Sequence, residues 1–157
     1  MAATYASPNE AELTWLRSSL DKVRAFVDAN SAGDRGTPVT LEALDRAFAS
    51  RLGNTTSSWE ANDVINVVGH KFGQYLVDDA GFQWTVATDE HGTEFAVRAL
   101  PGTADVLVYP ANFVAKRWER RETGFLVSTF STMRRDVEDI ATKAAGAARA
   151  KPWWKPW

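Results

Sequence analysis

At Gly81 the hydrophobic period of this chain changes from helical to extended, and nothing else in the sequence constrains the fold as much. On the helical side lies WEANDVINVVGHKFGQYLVDDAG, entered through Ser57 and Glu60 as a capping box. At 100° per residue, Val64, Ile65, Val68, Phe72, Tyr75 and Leu76 fall within an arc of about 120°. Asn62, Asp63, Asn66, His70, Lys71, Gln74 and Asp78 take the opposite, solvated side. Gly69 and Gly73 sit near the boundary, four apart. Each costs a helix roughly 1 kcal/mol against alanine, so their use is to admit another backbone at close range.

Beyond Gly81 the period is two. Phe82, Trp84 and Val86 alternate with Gln83, Thr85 and Ala87; after DEHG, Phe95, Val97 and Ala99 alternate with Glu94, Ala96 and Arg98. That pattern predicts a hairpin with a four-residue loop and a glycine at positive φ. DVLVYP reads as a third strand, stopped by Pro110.

Helical periods flank this centre. Ser7, Pro8 and Glu10 announce a helix over 7–30 with Leu13, Leu16, Leu20, Val23 and Val27 inward. A second spans 40–52, with Leu41, Leu44, Phe48 and Leu52 inward. ANFVAKRWERRE forms a short helix ending near Gly124, and a long one carries Leu126, Phe130, Met133, Val137, Ile140 and Ala144. The fold class is therefore α+β: a three-stranded antiparallel meander with several amphipathic helices packed on one face. With 157 residues, one domain over 1–150 is expected, followed by a tail at 151–157.

The middle of the chain is similar to a bacterial family, domain of unknown function 3806. Gly69, Phe72, Gly73, Gly81 and Trp84 carry the likeness, followed by Asp89 and Gly92 in the hairpin loop and Tyr109-Pro110 before VAKRWERRETGFL. It covers roughly residues 60–140 and leaves the first 55 outside. The resemblance implies a helix-plus-meander fold and a bacterial source, and it brings no activity with it.

The absence of cysteine removes disulfides, thiolate metal sites and cysteine nucleophiles. The N-terminus has no basic and apolar leader, and no apolar run reaches 18 residues, so a cytoplasmic protein without a membrane span is expected. His70 is the candidate general base, on a face with Asn66 and Gln74, although a solvated surface histidine explains it as well. His91 beside Asp89 and Glu90 suits turn chemistry better than a metal, since adjacent loop residues rarely converge on one ion. Asp78 and Asp79 point about 100° apart on a helix, and no catalytic motif is present. No cofactor is implied.

KRWERR (Lys116 to Arg121) interleaves bases with tryptophan, but Glu119 and Glu122 interrupt it and the chain carries a net charge of −2, so no nucleic acid is expected as a partner. Val114 and Trp118 there are expected to bury together. Two surfaces suit a protein partner. One is the open sheet face, with Gln83, Thr85, Glu94 and Arg98. The other is the tail KPWWKPW, whose Trp153, Trp154 and Trp157 together offer roughly 450–750 Å² of apolar surface. The tail docks on its own domain, on a sister chain as a homodimer, on another protein or, least favoured, on a membrane surface. The functional reading is a non-catalytic binding or protein-interaction domain. The alternatives are a small enzyme using His70 and, by analogy of size alone, an immunity-type partner of a toxin.

Overall fold

A computed structural model of the chain describes residues 2–150; the tryptophans of the tail lie outside them. The elements run β1 (Thr4–Ala6), α1 (Glu10–Asp21), α2 (Val23–Asn30), a short 3-10 turn, α3 (Leu41–Gly53), α4 (Ala61–Asp79), β2 (Gln83–Asp89), β3 (Gly92–Ala99), β4 (Val106–Val108), α5 (Pro110–Arg120) and α6 (Leu126–Ala150). The sheet is antiparallel in the order β1-β2-β3-β4. The α+β class holds, with four strands instead of three. The extra strand pairs Thr4 with Thr88, Tyr5 with Ala87 and Ala6 with Val86. Three residues are too few to show a period of two, and an edge strand is held mainly by its ladder of backbone hydrogen bonds.

Three sequence expectations about helix ends need correction. The first helix is capped by Asn9, not Ser7: the Asn9 side chain accepts from the Glu12 N–H at 2.8 Å, and the Glu12 carboxylate accepts from the Asn9 N–H at 2.8 Å. It also breaks at Lys22, whose N–H reaches Ser19 O and Leu20 O in a tightened turn, so the stretch 7–30 is two helices. Before α4, Ser57 Oγ accepts from Trp59 N at 3.1 Å, and the capping box with Glu60 does not form.

The alternation along the hairpin is as the sequence predicts. Phe82, Val97, Ala99 and Val108 join Phe72 and Leu76 in the core, and Trp84 packs at its edge. The loop is shorter than expected: Asp89 pairs with Gly92, leaving Glu90 and His91 at the tip, with Gly92 at φ 128°.

The central element is α4, and it is buried on more sides than one apolar arc requires. Val64, Val67, Val68, Gly69, His70, Phe72, Gly73 and Leu76 are all buried. The glycines explain how. A Cβ on Gly69 would stand 2.7 Å from Ala111 Cα, and one on Gly73 would stand 2.5 Å from the Trp84 ring. The N-terminus of α5 lies on the first glycine and Trp84 on the second. The polar arc of α4 is therefore covered through its middle, and its exposed residues, Asn62, Asp63, Asp78 and Asp79, are near its ends.

Candidate functional site: an aromatic cavity over His70

The placement of His70 reverses the sequence expectation. It is 1% exposed, because α1 and the hairpin close over the side of α4 that the helical wheel assigns to water. Three rings surround the imidazole: Trp15 at 5.0 Å, Phe95 at 5.9 Å and Trp84 at 6.2 Å between centroids, all edge-on. Its Nδ1 is hydrogen-bonded to Ser19 Oγ at 2.8 Å, and Ser19 is itself buried. Burial pushes the imidazole pKa down to about 4, so at neutral pH the ring is uncharged.

Above this floor opens a cavity of about 530 Å³ between α1, α4, the hairpin and the start of α5. Trp15 and Phe95 form one wall, stacked at 5.5 Å and 6° from parallel. Trp15 is nonetheless 50% exposed. Ile65, Val86, Ala111 and Ala115 add apolar lining, and Asn66 and Asn112 supply amides. Glu12 and Glu94 border it and no lysine or arginine does, but the Glu12 carboxylate caps Asn9 and Glu94 lies on the strand face opposite Phe95, paired with Ala87. Partial burial, with Asp89 nearby, raises the Glu94 carboxyl above its ordinary value. The site is thus aromatic, bordered by amides and floored by a neutral imidazole. Sequence periodicity placed Phe95 inward but missed Trp15, which stands one residue off the Leu13–Leu16–Leu20 stripe. A tryptophan beside an apolar stripe is the signal that was there to read.

The other sequence candidates scatter. Gln83 and Arg98 pair across β2 and β3, where the Arg98 guanidinium lies 5.0 Å over the Tyr5 ring and is ion-paired to Asp105 at 2.6 Å. Thr85 is buried and donates to Ala6 O at 3.1 Å, so the open sheet face does not present it. Ala87 and Ala96 on that face are buried too, because Tyr5 of β1 shares the face. Only Glu94 of the four nominated residues borders the cavity. Gln74 is occupied by the Trp84 indole N–H at 2.9 Å and by Asp78 at 2.8 Å. His91 stands exposed at the hairpin tip, 3.5 Å from Glu90, and among the described residues no group of three His, Cys, Asp or Glu is placed to hold a metal.

In KRWERR, Arg117 lies 4.0 Å over Phe113 and Arg121 donates to Leu52 O, while Arg51 of α3 covers Trp118 and Lys116 and Arg120 are exposed. Val114 is buried beside half-buried Trp118, as expected. No helix among the described residues is long and apolar enough to cross a membrane.

No curated protein matches this chain. A crystal structure from Bacteroides thetaiotaomicron VPI-5482 shares the fold, with a TM-score of 0.66 at 11% identity over 84% of this chain. The chain spans 47% of that protein's length. The model of the family described as domain of unknown function (DUF3806) matches residues 41–130. That span takes in α3, which the sequence likeness had left outside, and ends in the first turns of α6. By that match, the chain belongs to the DUF3806 family.

Proposed function

We propose that this chain is a non-catalytic binding domain whose site is the cavity walled by Trp15, His70 and Phe95. The observation that carries the reading is Trp15, a half-exposed indole held flat on Phe95 above a buried, uncharged imidazole. An apolar wall kept open to water costs free energy that a bound apolar group recovers, and the volume suits a ligand site. The aromatic rings of the wall favour an organic cation, since ring faces attract one. An arylalkylamine such as tryptamine matches both features. Calorimetry should detect tryptamine binding to the full chain, and Trp15→Ala should weaken it at least about tenfold, at a cost of about 2–3 kcal/mol for the half-buried indole that leaves the chain folded. Unchanged affinity in that variant would count against the site.

A second reading has one observation behind it: Ser19 Oγ and His70 Nδ1 are within the reach of a nucleophile and its base. Among the described residues, however, no carboxylate hydrogen-bonds the imidazole, and a pKa near 4 makes it a weak base at neutral pH. A fluorophosphonate probe followed by peptide mass spectrometry should leave Ser19 unlabelled. Stoichiometric labelling there would favour the enzyme.

A further inference from the structure

We infer that the ligand of this cavity is an aromatic α-amino acid, its carboxylate received by His70 Nε2–H and the first turn of α5. The inference rests on the cavity being the binding site and adds the half of the ligand that the aromatic wall does not read. The first support is a proton count at the floor. Ser19 Oγ lies 2.8 Å from His70 Nδ1 and has no other hydrogen-bond partner among the described residues. Its hydroxyl hydrogen therefore goes to Nδ1, and a neutral imidazole that accepts there carries its own hydrogen on Nε2. No described group accepts from that N–H. Among the described side chains, Arg117 Nε alone is both sealed from water and unpartnered, so Nε2 keeps contact with open space. His70 is 1% exposed, and the cavity is the space its ring lines. A buried donor without an acceptor costs free energy that a ligand oxygen recovers.

The second support comes from a different element. Ala111, Asn112 and Ala115 bring the start of α5 into the cavity wall. That helix begins without a side-chain cap: Tyr109 holds the cap position and Pro110, which has no N–H, follows it. Phe113 N–H is taken by Tyr109 O at 2.9 Å, while the N–H groups of Ala111 and Asn112 have no acceptor among the described residues. The positive end of the helix dipole thus lies at the cavity, where an anionic group is stabilised. No lysine or arginine lines the site to balance a net anion, so the ligand brings its own ammonium, which the ring faces attract. An aromatic α-amino acid unites carboxylate, ammonium and ring in one molecule that fits within about 530 Å³.

Calorimetry on the full chain with L-tryptophan and tryptamine tests this. L-tryptophan should bind at least about tenfold tighter than tryptamine. His70→Phe, of similar size but without a donor, should remove most of that advantage. Asn112→Asp sets a negative charge beside the carboxylate at an exposed first-turn position, where helices accept an acid, and it should reverse the preference. In proton–nitrogen correlation spectra the free chain should show His70 protonated at Nε2, with this nitrogen shifting far more on L-tryptophan than on tryptamine. Trp15-dependent tryptamine binding with no gain from the carboxylate keeps the cavity and overturns the inference. So does an advantage that survives in both variants, or an imidazole protonated at Nδ1. If neither compound binds, the cavity falls and the inference with it.

Discussion

Folding takes His70 out of water into a ring of three aromatic side chains, and burial alone holds its pKa down to about 4. In the unfolded chain the imidazole titrates near 6.5. As pH falls below 6.5 the unfolded state takes up the proton first, so stability is complete above that value and declines towards pH 4, by on the order of 3 kcal/mol. Urea denaturation across this range should show the decline in the native chain, and His70→Gln should flatten it. The raised carboxyls of Asp45 and Glu94 titrate in both chains and cancel in the comparison. Gly69 makes a second test at this scale. An added Cβ meets the backbone of Ala111, which cannot rotate away, so Gly69→Ala should cost about 1–3 kcal/mol. Gly146, inside α6 with open space around it, should respond in the opposite sense, gaining up to ~1 kcal/mol on change to alanine. Thermal melts of the two variants give the signs. The close approach at Gly69 and Gly73 was legible in the sequence, because two glycines inside a strong helical period have few other uses. The burial of His70 was not, because a helical wheel sees one helix and α4 has neighbours on several sides.

At the level of elements, α6 is started from outside itself. Its first two N–H groups, Leu126 and Val127, donate to the Asp45 carboxylate of α3 at 3.0 and 3.2 Å. Burial raises the Asp45 carboxyl while these bonds oppose the rise. The cap spans 81 residues of sequence, so no local capping pattern announces it. Asp45→Ala should cost about 1 kcal/mol, with Asp45→Asn losing less; equilibrium unfolding of both variants checks this. The same distinction between local and distant causes sorts the other elements. The hairpin, the start of α5 at Pro110 and the core stripe of α3 follow from neighbouring residues and were readable. The pairing of β1 with β2 joins residues about 80 apart, and the break at Lys22 follows from how α1 and α2 each meet α4.

For the whole molecule, the sheet and helices leave an aromatic cavity where α1, α4, the hairpin and α5 meet, while Tyr5 of β1 covers part of the sheet face that the hairpin pattern had marked as open. Phe95 and Glu94 were in view from the sequence as opposite faces of one strand. That α1 would bring Trp15 and Glu12 to them is a property of tertiary packing alone. Tryptamine titrated into the isotopically labelled chain, followed by amide and indole N–H shifts, tests this placement most directly. The Trp15 indole and the side-chain amides of Asn66 and Asn112 should move, with the Gln83 amide unchanged. Movement at Gln83 with a silent Trp15 would contradict the account and return the binding surface to the far side of the sheet.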